Sequence, residues 1–375
     1  MSNGLQLKVL ITTDAVGGVW NYSLDLARGL AALDVTTVLA VHGPSPDAAQ
    51  KKAARSVPGL QMVDTGLPLD WLASNRAELD RAGAAMARLA AESQVDIVQL
   101  NAPALGAAAK FPVPVVAVVH SCVATWWASV HPEKPMPEDF AWRTECVRDG
   151  LAAANAVATP TAAFGDLVRQ VYGLRAAPRT VHNGRSPVAA GSQATHDFVF
   201  TAGRLWDQGK NLATLDQAAA AIGVPVHAAG PLQGPNGECV SFRHLHCLGS
   251  LESAEVDRYL SARPVFASAA LYEPFGLAVL EAASAGCPLI LADTPTFREL
   301  WDEVAIFVDP LDAAGFARAC NDLVGDDLER AMMGRAAKER AELFTPDAMA
   351  AQMATLYRGL LPVVRRPVLA ARVAA

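Results

Sequence analysis

Glu273 and Glu281 stand eight positions apart, with Pro274-Phe275-Gly276-Leu277 after the first acid and a run of small and apolar residues that ends at Gly286. Leu277, Leu280 and Ala283 recur at helical spacing, Pro274 suits a first helical position and Gly286 a left-handed stop, so the stretch reads as a loop that turns into a helix. The first N–H groups of a helix have no partner within it and together carry roughly half a positive charge, which makes this mouth a place for phosphate. Acids beside a phosphate repel it unless they address uncharged groups. Glu273 at the entry and Glu281 further back are therefore assigned to hydroxyls, and a ligand with phosphate and many hydroxyls is a nucleotide sugar.

Ala202-Gly-Arg-Leu-Trp-Asp-Gln-Gly-Lys-Asn211 places two cations, Arg204 and Lys210, on a loop that follows a strand. A departing nucleoside diphosphate gains charge as its bond to the sugar breaks, and positioned cations in a dry cleft favour that transition state over the ground state. Arg grips phosphate through two N–H groups, whereas Lys acts as a point charge. Gly17 and Gly18, in Asp14-Ala-Val-Gly-Gly-Val-Trp20, do not form a dinucleotide fingerprint but permit close approach of backbone to ligand. His120 ends the apolar run Val113–His120.

The Glu-x7-Glu pattern with Pro-Phe-Gly-Leu resembles the hallmark of the retaining nucleotide-sugar glycosyltransferases of the GT-B fold, in particular family 4, and the likeness extends over nearly the whole chain. It implies two facing Rossmann-like domains with parallel sheets, and a last helix that crosses back to the first domain from Thr345-Pro346-Asp347. It implies that Glu273 orients donor hydroxyls, Glu281 holds the ribose, His120 bonds a sugar hydroxyl, and the loop at Gly17 and Gly18 lies against donor and acceptor. Nucleobase contacts in such folds are largely backbone, here near Gly230 and Leu248. The family carries an Arg and a Lys in a loop like Arg204–Lys210, usually with the Lys one residue closer. In the front-face mechanism proposed for such enzymes the leaving phosphate takes the acceptor proton; a covalent route through a carboxylate nucleophile stays open. The resemblance implies a UDP- or GDP-sugar donor and neither cofactor nor metal. A nucleotide-sugar epimerase on the same fold, or a non-catalytic nucleotide-sugar-binding subunit, remains as an alternative.

With 375 residues, 52% of them hydrophobic and 18% charged, the chain suits two cores. A net charge of −7 argues against a nucleic-acid partner and favours a small soluble acceptor or glycan over lipid. Six scattered cysteines without a C-x-x-C pair fit reduced thiols and a cytoplasmic place. No stretch reaches the roughly 18 apolar residues that span a bilayer, the first residues do not read as a signal peptide, and Arg365, Arg366 and Arg372 mark a solvated tail. There is no D-x-D, and the alternation of a strand splits His244, His246 and Cys247 between two faces.

The elements that position these residues alternate strand and helix. Strands are expected at 7–13, 35–41, 96–100 and 113–120 and helices at 20–33, 76–93, 149–157 and 162–171. After a Ser-, Gly- and Pro-rich linker at 185–196 the alternation restarts with strands at 198–202, 224–229, 244–248, 265–269, 289–291 and 305–308. Helices are expected from 211 and 254, and at 312–324, 327–344 and 346–361. The expected domains are 1–184 on the acceptor side, 197–345 on the donor side, and 346–375 as crossing helix and tail. In an open parallel sheet ligands lie beyond the carboxyl ends of the strands, where Gly17, Gly18 and His120 fall. Trp126, Trp127 and Trp142, in an irregular stretch among Pro132, Pro135 and Pro137, either contact the acceptor or pack a long loop.

Overall fold

The computed structural model describes residues 7–187, 197–234 and 237–361. The linker expected at 185–196 lies outside these residues from 188 on, as does the tail with Arg365, Arg366 and Arg372. The first half builds a parallel sheet from β1 (Leu7–Asp14), β2 (Val35–His42), β3 (Leu60–Asp64), β4 (Ile97–Leu100), β5 (Val115–Val118), β6 (Ala156–Thr159) and β7 (Arg179–Thr180), in the order β3-β2-β1-β4-β5-β6-β7. Its helices are α1 (Gly18–Ala31), α2 (Ala48–Arg55), α3 (Arg76–Glu92), α4 (Val123–Val130), α5 (Glu138–Ala153) and α6 (Ala162–Tyr172). Val9, Leu10 and Ile11 are fully buried in succession, as a strand covered on both faces requires.

The second half repeats the plan with β8 (Val199–Ala202), β9 (Val226–Ala229), β10 (His246–Gly249), β11 (Val265–Ser268), β12 (Leu289–Ala292) and β13 (Ala305–Val308), in the order β10-β9-β8-β11-β12-β13. Around it lie α7 (Leu212–Ala219), α8 (Ser253–Ser261), α9 (Leu277–Ala285), α10 (Pro295–Trp301), α11 (Ala313–Gly325) and α12 (Asp327–Ala341). The direction of winding reverses beside the first strand of each half, between β1 and β4 and between β8 and β11. Loops leaving those strands diverge to opposite faces and open a crevice. The loops after β1, β4, β8 and β11 carry Gly17, Asn101, Arg204 and Glu273.

The last helix, α13 (Pro346–Leu360), returns to the first half. Its buried Met349, Ala350, Met353, Ala354 and Tyr357 join the core around β1 and α1. Tyr357 donates its hydroxyl to the buried Gln99 of β4, whose amide nitrogen lies 3.2 Å from the Tyr22 hydroxyl. No helix among the described residues is long and apolar enough to cross a membrane.

Several elements differ from expectation. Pro274 is not the first residue of a helix: Gly276, at φ 91°, precedes α9, which starts at Leu277. The helix expected over 149–157 is instead the end of α5 and the start of β6, with Asn155 closing the turn by donating its backbone N–H to Val115 O at 2.9 Å and accepting Val115 N–H at 2.8 Å on its side chain. The stretch bearing Trp126, Trp127 and Trp142 is not irregular, because these residues lie in α4 and α5. α2, β3 and α10 appear where no element was expected.

α13 approaches α1 closely enough that a Cβ on Gly29 would stand 2.6 Å from both Ala350 Cβ and Pro346 O. Gly29→Val is expected to destabilise the protein by about 1–3 kcal/mol, the usual cost of overpacking. Urea unfolding with the slope held common to both proteins checks this.

Candidate active site

A cavity of about 320 Å³ lies where the two crevices face each other. Its wall contains Gly17, Gly18, His120, Trp126 and Arg204 of the expected residues, while Lys210 and Glu273, on loops of the second half, and Glu281, in α9, stand outside it. Gly18 meets the second half directly, since a Cβ there would lie 3.2 Å from Leu277 Cδ1. The Gly-Gly loop is folded by Asp14, whose Oδ1 accepts Val16 N–H at 2.8 Å and Gly17 N–H at 3.0 Å.

The loop after β8 is shaped by close backbone approach. Gly230, at φ 142°, admits no side chain, because a Cβ would meet Gly203 O at 1.7 Å. Asn211 takes a left-handed conformation and bonds Ala269 O at 2.9 Å and Pro310 O at 2.7 Å, tying the loop to those after β11 and β13. Gly209 O accepts the N–H groups of Leu271 and Tyr272 at 2.9 and 3.2 Å. Lys210 is thereby delivered to Glu273, with which it forms an ion pair. Arg204 pairs with Asp207 at 2.7 Å.

Glu281 accepts Arg185 Nε–H at 2.7 Å, and Arg185 Nη1 reaches the buried Asp25 of α1 at 2.8 Å. Burial pushes the Glu281 carboxyl up, against the pull of Arg185. Phe275 is buried in the second core, so only its backbone is open to a ligand. Pro274 O accepts the Thr161 hydroxyl at 2.9 Å across the domains. Leu248 lies half-buried in β10 against that same core.

Of the three tryptophans, Trp126 alone joins the cavity wall. Trp127 rests on His131 with ring centroids 4.4 Å apart and donates to Lys134 O at 3.0 Å, while Trp142 lies under the Arg143 guanidinium. Sequence reasoning missed further parts of the wall: His42, Asp70, Trp71, Asn101 and Arg143. His42 and Asn101 follow from a signal already in use, the carboxyl ends of β2 and β4; Asp70 and Arg143 have none.

His120 Nε2 lies 3.2 Å from Asn101 Oδ1, and its ring packs edge-on to Tyr22. Burial lowers its pKa to about 3 and that of His42 to about 4, so both imidazoles are neutral in ordinary buffers. Asp70 is pushed up to about 6, chiefly by burial and further by Asp14. Unfolding returns both histidines to about 6.5, so the unfolded chain binds protons that the folded one does not. Their contribution is complete above that value and lost as pH falls through about 4 and about 3. Urea midpoints are expected to drop on acidification below about 6.5, and less steeply in His42→Gln.

Residues 16–187 match the model of glycosyltransferase family 4 and residues 241–340 that of glycosyl transferases group 1. The D-inositol 3-phosphate glycosyltransferases of Corynebacterium diphtheriae and Corynebacterium glutamicum are 31% and 32% identical over 139 and 142 residues. These alignments cover 33% and 34% of this chain and 33% of each relative, so the match spans about a third of those proteins. Sucrose-phosphate synthase of Thermosynechococcus elongatus shares the fold with a TM-score of 0.77 at 20% identity, covering 94% of this chain and 99% of that one. HepE of Anabaena, solved in complex with UDP and glucose, does so with a TM-score of 0.71 at 18% identity over 94% and 100%. Two parallel-sheet domains with their crevices face to face, a returning helix, and family matches in both halves place this chain among the GT-B glycosyltransferases of family 4 and group 1.

Proposed function

We propose that the protein transfers a hexose from a nucleotide diphosphate sugar, a UDP- or GDP-sugar, to a hydroxyl acceptor with retention of anomeric configuration. The observation that carries this reading is the convergence of Arg204, Lys210 and Glu273 at the switch point of the second sheet, opposite Gly18 and His120 of the first. The diphosphate lies at Arg204, Lys210 and the mouth of α9, with Pro274, Phe275, Gly276 and Leu277 contributing backbone. Glu273 and neutral His120 bond sugar hydroxyls, Glu281 addresses the ribose, and Gly230 and Leu248 flank the base. HepE, which shares the fold, was solved with UDP and glucose, which supports a donor of this class.

In this reading the bond from the anomeric carbon to the diphosphate oxygen breaks as the acceptor oxygen attacks from the same face, and the acceptor proton passes to the leaving phosphate. Arg204 and Lys210 stabilise the charge that develops, a task they perform without a metal. In this reading the first domain, up to residue 184, is the acceptor side and 197–345 the donor side, and α13 (Pro346–Leu360) returns to the first domain. All six cysteines are unpaired, which supports a reducing, cytoplasmic setting.

Screening UDP-, GDP- and ADP-sugars for nucleotide release, with and without hydroxyl acceptors, tests the reading. One donor class is expected to release nucleoside diphosphate, faster with acceptor. Lys210→Ala should lower kcat by about 10²–10³, the range seen when one such charge-stabilising donor is removed. Donor converted without nucleotide release supports the epimerase instead, and unchanged kcat in Lys210→Ala overturns the assignment of the loop.

A further inference from the structure

Asp207 is 6% exposed, and its carboxylate gathers three donors from two domains. Oδ2 accepts Arg204 Nη2–H at 2.7 Å; Oδ1 accepts Gly209 N–H and the indole N–H of Trp126, both at 2.9 Å. Its backbone is engaged as well, donating to Arg204 O at 3.0 Å and accepting Lys210 N–H at 2.9 Å. One residue thus touches both cations of the loop, and Gly209, fixed by the same carboxylate, supports Leu271 and Tyr272 on the approach to Glu273. Trp126 belongs to α4, just after His120, and the fit is tight: a Cβ on Gly209 would stand 2.9 Å from Trp126 Nε1.

We propose that Asp207 is a positioning residue for the leaving-group cations, and that Trp126 makes their position depend on the acceptor domain. Arg204 is 42% exposed along its side chain, and an ion pair that open to water adds little to stability. What the carboxylate supplies is orientation, since a guanidinium held through one Nη keeps its remaining N–H groups free for phosphate. The indole N–H removes a further lone pair of Asp207 from competition and is delivered only when the domains are together. Tyr272 makes a parallel link, its hydroxyl 2.8 Å from Thr125 Oγ1 and 3.1 Å from Ser121 Oγ. Helix α4 therefore contacts the loops of both Lys210 and Glu273 at once. Separation of the domains breaks both links, and the grip on the diphosphate loosens with them.

This role rests on the transferase reading, and the test separates the two. Trp126→Phe keeps an aromatic ring in the wall and removes the N–H; Asp207→Asn keeps the shape and removes the charge. Each is expected to lower kcat about tenfold, with the effects strongly non-additive in the double variant because both act through one carboxylate. Asp207→Glu should restore part of the loss, and UDP affinity by calorimetry should fall in Trp126→Phe although that residue lies in the other domain. Additive effects, or a loss confined to melting temperature or to acceptor KM, overturn the role. A wild type that binds UDP and variants that bind and turn over as it does overturn it alone, whereas a wild type that binds no nucleoside diphosphate overturns the transferase reading and this role with it.

Discussion

The guanidinium of Arg185 holds the two halves together at the point where the first domain ends. It spans Asp25, 1% exposed in α1, and Glu281, in α9 of the facing domain. Removing one partner from so poorly hydrated a set leaves a charge without compensation, which typically costs about 3–5 kcal/mol. Arg28 adds a second cation to Asp25 at 2.6 Å, so that carboxylate is fixed from both sides. The anchor lies on the same junction as the approach of Gly18 to Leu277 and the bond from Trp126 to Asp207.

Much of the remaining junction is polar. Glu299 of α10 accepts the N–H groups of Ala162 and Ala163 at the start of α6, at 2.9 and 2.7 Å, and lies 3.1 Å from His182 Nε2. A carboxylate at a helix N-terminus satisfies donors that have no partner within the helix and complements its dipole. Such contacts can be exchanged for water at small net cost, unlike the apolar seam between α13 and α1. The structure thus combines a permanent apolar attachment through the last helix with a replaceable polar interface at the cleft, a combination that suits entry and release of a large donor. Lys210 and Arg204 are each already matched by an acid, so in the proposed reading phosphate would meet cations that have been oriented in advance.

The alternation of strands and helices, both halves of the fold and the Glu-x7-Glu motif were legible because strands buried on both faces are long apolar runs and the motif joins rare chemistry to a helix start. β3 was not, since Leu60–Asp64 is an edge strand with half-exposed residues and little apolar signal. α4 was obscured by two tryptophans, two valines and prolines downstream, which weaken a helical reading. Pro274 misled because the left-handed turn at Gly276 competes with a helix start at proline. Arg185, within a Ser- and Pro-rich stretch that reads as linker, and Asp207, within a loop already credited for its cations, owe their importance to partners 96 and 81 positions away in sequence, a separation no local pattern encodes.

The central claim is that a sugar is passed across this cleft with its anomeric configuration kept. Time-resolved proton NMR of the purified protein with an α-linked UDP- or GDP-hexose and an accepted alcohol reads the anomeric coupling of the first product formed. The account predicts an axial glycoside appearing in step with nucleoside diphosphate. An equatorial first product, or a sugar altered with no nucleotide released, would contradict it.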